Sequence, residues 1–146
     1  MTAPTQEMIK TIVDESFIFR SLSEDIRDRL KDAATVCEFP AGATIIHEGD
    51  EGDNMMIIIG GQVQVSQRTL DGDISLAELG HKAVIGEVSV ITGTPRTSTV
   101  VALADVSVIC FSRDTIQSII ASSPKVKTLL LKLIEGRALH AVGKAL

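Results

Sequence analysis

Apolar and polar positions follow three different rhythms along this chain, and the changes of rhythm divide it. Residues 5–14 follow Pro4 and place Met8, Ile9, Ile12 and Val13 at spacings of three and four, the period of one helix face. A short leading helix is predicted there. Past Phe17 and Phe19, Ser21 and Ser23 offer hydroxyl caps for a second helix. Its first turn holds Glu24 and Asp25, which suit the positive end of the helix dipole, and it should end near Ala34.

Between residues 35 and 111 the texture changes to short runs rich in Val, Ile and Thr, broken by Gly, Asp, Asn and Pro. Strands are predicted at 35–39, 43–47, 54–60, 62–69, 74–79, 97–103 and 106–111. Gly42, Gly49 with Gly52, Gly60 with Gly61, and Asp71 with Gly72 punctuate them as turns. Many short strands with such punctuation indicate a mainly β barrel or jelly roll.

The last section returns to helical spacing. Ser112 or Asp114 opens a short helix through Ile116, Ile119 and Ile120, and Pro124 sits where a final helix can begin. In that helix Lys125, Thr128, Lys132 and Glu135 form one polar face, while Val126, Leu129, Leu130, Leu131, Leu133 and Ile134 cover the rest. Such a wide apolar arc needs two neighbours. Val126, Leu130 and Leu133 are expected against the barrel, leaving Leu131, Ile134 and Ala138 as a strip for a homodimer or a protein partner.

Composition narrows the classes. At 146 residues with 45% hydrophobic and 23% charged content, one domain with its own core is expected: residues 1–34 as N-terminal helices, 35–111 as the barrel, 112–146 as C-terminal helices. With only 3% aromatic residues there is no platform for stacking single-stranded bases, and a net charge of −5 argues against a broad polyanion-binding surface. No apolar run approaches the roughly 18 residues of a membrane span, and the opening M-T-A-P-T-Q-E-M-I-K lacks a signal-peptide layout, so a cytoplasmic location is expected. Cys37 and Cys110 lie far apart without CxxC spacing and read as buried small hydrophobes. His47, His81 and His140 are too scattered for metal-ligand spacing, so no metal and no catalytic group is expected.

The chemistry concentrates in residues 85–101, I-G-E-V-S-V-I-T-G-T-P-R-T-S-T-V-V, which interrupt the strands with a small helical insert. A helix starting at Gly86 and Glu87 would point the backbone N–H groups of Gly86, Val88 and Ser89 outward as an anion site. Arg96, at the start of the next strand, could grip two phosphate oxygens of the same anion. Glu87 is an acceptor and needs a hydroxyl donor such as a ribose 2′-OH. From spacing alone, Glu87 and Arg96 read equally well as a structural salt bridge that pins the insert.

This segment resembles the phosphate-binding cassette of the cyclic-nucleotide-binding domain family, which includes catabolite activator proteins, kinase regulatory subunits and nucleotide-gated channels. The resemblance continues through F-R-S-L-S at 19–23, F-P-A-G-A-T-I-I-H-E-G-D at 39–50, G-G-Q-V at 60–63, L-D-G-D at 70–73 and V-V-A-L-A-D-V at 100–106, and so runs from about residue 17 onward. It implies an eight-stranded antiparallel β-barrel (jelly roll) with a cassette at 85–98. It also implies backbone contacts to phosphate from Gly86, Val88 and Ser89, with Arg96 on the phosphate and Glu87 on the 2′-OH. Thr97 falls to phosphate or purine. Ile85 and Ser98 complete the expected ligand site, and Arg137 or His140 would stand near the base. Where the family often has L-G-x-G-D-x-F-G-E, this chain has L-G-H-K-A-V-I-G-E, so Lys82, Ala83 and Ile85 replace a glycine, an aspartate and an aromatic on the approach to the cassette.

The expected function is a sensor that binds cyclic AMP, or less favourably cyclic GMP, needs no cofactor, catalyses nothing and shifts its C-terminal helices on binding. A winged helix-turn-helix would need several tens of residues beyond the last helix, so no DNA-binding domain is expected in this chain. The alternatives are a ligand-free scaffold of the same fold and a metal-dependent cupin-like enzyme. For the latter only His47 lies on a predicted inner strand.

Overall fold

The computed structural model describes the backbone of residues 6–145 and the side chains of residues 6–136. Two helices lead: α1 (Gln6–Glu15) and α2 (Glu24–Ala33), the latter capped by Ser23, whose hydroxyl accepts from the Ile26 N–H at 3.3 Å. Then come β1 (Thr35–Phe39), β2 (Thr44–Ile46), β3 (Asn54–Gly60), β4 (Val63–Thr69), β5 (Gly72–Leu79) and β6 (Val84–Ile85). Helix α3 (Glu87–Thr92) separates these from β7 (Thr99–Ala102) and β8 (Val106–Ser112). Helices α4 (Arg113–Ser122), capped by Ser112, and α5 (Pro124–Ala145) complete the chain. Strand β6 is absent from the sequence expectation because a two-residue run shows no alternation to detect.

The eight strands form two open four-stranded antiparallel sheets, ordered β1-β8-β3-β6 and β2-β7-β4-β5, rather than the closed barrel expected from the sequence. β2 has three residues and β6 two, too few to carry a hydrogen-bond ladder around a closed wall. The double-sheet form is the jelly-roll solution.

Strands β3 and β8 are buried on both faces. Because side chains alternate, Met55, Ile57, Ile59, Ile109 and Phe111 face a core shared with the helices, while Met56, Ile58, Val106, Val108 and Cys110 face a core between the sheets. From α5, Val126 and Leu130 are fully buried and Leu133 half-buried in the helical core.

Candidate functional site

Between the second sheet, the α3 insert and α5 lies a cavity of about 450 Å³. Ile46, Val65, Leu79, Ile85 and Val100 give it an apolar wall that continues the inter-sheet core, and Leu76 and Ala77 extend that wall along β5. A volume of this size accommodates a small organic molecule. Its polar end is built from the insert: Ile85, Gly86, Glu87, Val88, Ser89, Arg96, Thr97 and Ser98, eight of the residues expected from the sequence, all line this one cavity.

Gly86 turns the chain from β6 into α3 with φ 79°, and Gly93 ends the helix with φ 73°. Both are left-handed conformations that side chains resist. Space matters at Gly86 as well: a Cβ there would stand 2.6 Å from Arg96 Nη1 and 3.1 Å from the Asn54 carbonyl oxygen. Glu87 opens the helix and is 3% exposed, Ser89 is 2% exposed, and Val88 is half-buried.

Arg96 lies in the loop before β7, not at the start of the strand, and only 8% of it is exposed. Its Nη1 donates to the carbonyls of Asn54 and Gly86, each at 3.0 Å, and its Nη2 donates to Asn54 Oδ1 at 2.7 Å. The backbone is tied to the same segment, with Arg96 N–H donating to the Asp50 carbonyl at 2.7 Å and the Arg96 carbonyl accepting from Gly49 N–H at 2.8 Å. A guanidinium carries five N–H groups, and among the described residues three of those of Arg96 are engaged by Asn54 and Gly86, which leaves Nε–H and one Nη2–H. Burial lowers the affinity of this guanidinium for its proton, Asp53, Glu87 and Asp50 oppose that effect, and Arg113 reinforces it. The cation is therefore costly where it stands and is held by hydrogen bonds to neutral groups.

Two residues that sequence reasoning treated only as turn punctuation or strand start carry this arrangement. Asn54 orients the guanidinium. Gly52 lies so close to the insert that a Cβ would meet Ser89 Cβ at 2.3 Å and Arg96 Cδ at 3.0 Å. The sequence signal for both is weak, a G-D-N run at the start of β3. Gln67 on β4 was also missed; its Nε2 donates to the Thr97 carbonyl at 2.9 Å and holds the exposed Thr97 at the cavity rim.

Two expectations change. Ile134 is half-buried and lines the cavity, so it does not belong to an exposed strip with Leu131, which is 44% exposed. α5 contacts α3 and β5, and that placement turns Ile134 over the opening. His47 is exposed beyond the end of β2 and is not on an inner strand. Arg137, Ala138 and His140 fall on α5, where their side chains lie outside the described residues. Among the described residues no group of three or more His, Cys, Asp or Glu is placed to hold a metal, and no described helix is long and apolar enough to cross a membrane.

Comparison with known proteins meets this geometry. A family profile described as "Cyclic nucleotide-binding domain" matches residues 36–123. A CRP-like cAMP-activated global transcriptional regulator of Mycobacterium tuberculosis is 35% identical over 101 residues, covering 68% of this chain and 45% of the regulator, so the match spans less than half of that relative. A solved cyclic nucleotide-binding domain from Methylobacillus flagellatus superposes with a TM-score of 0.79 at 29% identity, covering 95% of this chain and 81% of the other. The regulatory subunit of a cAMP-independent protein kinase A from Trypanosoma cruzi, bound to guanosine, gives a TM-score of 0.72 at 26% identity over 90% of this chain and 50% of that one.

Proposed function

This chain belongs to the cyclic nucleotide-binding domain family, and from that premise we propose that it is a receptor for a cyclic purine nucleotide, cyclic AMP ahead of cyclic GMP, whose binding repositions α5. The observation that carries the reading is Arg96, 8% exposed, with three of its N–H groups used to orient it and one edge left at the polar end of a cavity whose remaining wall is mostly apolar. The cyclic phosphate accepts from Arg96 Nε–H and Nη2–H and from the backbone N–H groups at the start of α3, including those of Gly86, Val88 and Ser89. The Glu87 carboxylate accepts from the ribose 2′-OH. The purine lies along Ile85, Val65 and Leu76, with the Thr97 and Ser98 hydroxyls at its edge. Ile134 closes over it, and Arg137 and His140 follow three and six residues further along α5.

The domain acts by binding rather than turnover and without a cofactor, as a cytoplasmic regulatory unit spanning residues 1–146. A ligand that contacts Ile134 in only one position of α5 shifts the helix by the difference in its affinity for the two positions. The exposed Leu131 is the point on α5 where a second copy or an effector would read that shift. Leu131→Glu should dissociate a dimer in light scattering while the fold is retained. A protein that is monomeric with and without nucleotide would remove this part of the reading.

Calorimetric titration tests the core of the proposal. Wild type should bind cyclic AMP more tightly than cyclic GMP, and Arg96→Ala should lose about 2 to 5 kcal/mol of binding. Adenosine or guanosine binding as tightly as the cyclic phosphates, with Arg96→Ala unchanged, would overturn the phosphate assignment in favour of a nucleoside site.

A further inference from the structure

Outside the cavity, the two cysteines form a constellation that the nucleotide site does not use. They are 73 residues apart in the chain, yet the Cys110 thiol donates to Cys37 Sγ at an S···S separation of 3.5 Å. The ladder between β1 and β8 explains the approach: Cys37 stands opposite Val108 and Cys110 opposite Thr35, so the two sulfurs meet on the diagonal of one face. That face is the inter-sheet core, where Cys110 is a buried member and Cys37 packs half-buried at its border. Both thiols are free.

We propose that Cys37 and Cys110 are a two-thiol modification site that a hydroperoxide converts to an intrachain disulfide between β1 and β8. Cys37 is the more accessible partner and so meets the peroxide first, and it receives the hydrogen bond from Cys110. Its sulfur attacks one peroxide oxygen, the O–O bond breaks, and the departing oxygen takes the Cys37 thiol proton and leaves as alcohol or water. The product is a Cys37 sulfenic acid. Cys110 sulfur then attacks Cys37 sulfur, the S–O bond breaks, and the hydroxyl leaves as water with the Cys110 proton. Two electrons pass from the thiol pair to one peroxide, and no other reactant is needed.

Geometry permits the second step. An S–S bond is about 2.05 Å long, so the sulfurs must close by roughly 1.5 Å from their separation of 3.5 Å. β1 is an edge strand of its sheet and has no ladder partner on its outer side to resist that shift. Burial, then the bond to Cys37, push the Cys110 thiol up to about 12, so Cys110 keeps its proton and does not compete with Cys37 for the peroxide, and its attack on the sulfenic acid rests on proximity.

Intact-mass spectrometry of the full chain treated with hydrogen peroxide tests this independently of nucleotide. Wild type should lose the mass of two hydrogen atoms, regain it with dithiothreitol, and yield a tryptic species joining the Cys37 and Cys110 peptides. Closure should be many-fold faster in the native protein than in guanidinium, where proximity is lost. Cys110→Ala should halt at a sulfenic acid that a 1,3-diketone traps, and Cys37→Ser should stay unreacted under the same exposure. Wild-type protein that gains oxygen without forming the link, forms only intermolecular disulfides, or closes no faster than the unfolded chain would overturn the proposal. The wild-type experiment decides it even if a variant fails to fold.

Discussion

One face of the β1-β8-β3-β6 sheet packs against helices and the other against the second sheet, and the two cores hold different kinds of residue. The helical core contains Phe19 and Phe111, which meet edge to face with ring centroids 5.5 Å apart at 74°, together with fully buried Ile18, Leu30, Ile57, Ile109, Ile116, Ile119 and Leu130. The inter-sheet core has mostly branched or small side chains, and Ile46, Ile85 and Val100 carry it to the wall of an open cavity. The first is closed and the second ends in a space for something else. Neighbouring positions on one strand therefore serve different ends: Met55 and Ile57 hold the helices, while Met56 and Ile58 belong to the core behind the cavity.

The largest effect should come from the closed side. Phe111→Ala is expected to cost about 3 to 5 kcal/mol of unfolding free energy, measured by denaturant titration, with little change in nucleotide affinity of the folded fraction. Affinity that falls in step with stability would dissolve the distinction between the cores.

On the open side, Arg96→Lys should reduce cyclic AMP affinity by about 2 kcal/mol or more, because an ammonium cannot both hold Asn54 and Gly86 and present a flat edge to phosphate. Calorimetry reads the loss, and chemical denaturation should show a smaller change than for Phe111→Ala. Glu87→Gln should cost about 1 kcal/mol of affinity, and 2′-deoxy cyclic AMP should lose little further in that variant. Fully additive losses would separate Glu87 from the ribose.

The raised Cys110 thiol makes a pH prediction. The folded protein keeps its proton better than the unfolded chain, so this contribution to stability is complete below the ordinary thiol value of 9.0 and is lost as pH rises toward about 12. Denaturation midpoints measured across that range should fall for wild type and fall less for Cys110→Ala.

The smallest effect is expected at Lys82, a non-glycine residue with φ 73° that also bonds Glu15 of α1 through its Nζ at 3.2 Å. Lys82→Gly relieves about 1 kcal/mol of left-handed strain and gives up an exposed ion pair worth less than that. Thermal melting should show no loss of stability and at most a small gain. A clear loss would mean that the tie between α1 and the approach to the cassette outweighs the strain.

Most elements are legible from local order. The 3.6-residue period and the Ser23 and Ser112 caps place α2 and α4, β1 and β3 run where short apolar runs bounded by turn residues put them, and Gly86 with Glu87 opens α3. The polar end of the cavity draws on two short runs close in sequence, 85–89 and 96–98, of which Gly86, Glu87, Val88, Ser89 and Arg96 stand out by their own chemistry, while Ile85, Thr97 and Ser98 were expected from the family resemblance. What local order does not contain is which segments meet. Open sheets instead of a barrel follow from how far β2 and β6 can extend a ladder, and the hold of Asn54 on Arg96 spans 42 residues. The side of α5 that turns Ile134 over the cavity depends on packing against α3 and β5. The meeting of Cys37 with Cys110 depends on the β1 and β8 register. Periodicity and turn chemistry act between residues a few positions apart and can be read along the chain, whereas pairing, register and cavity walls join distant positions and exist only once the chain has folded.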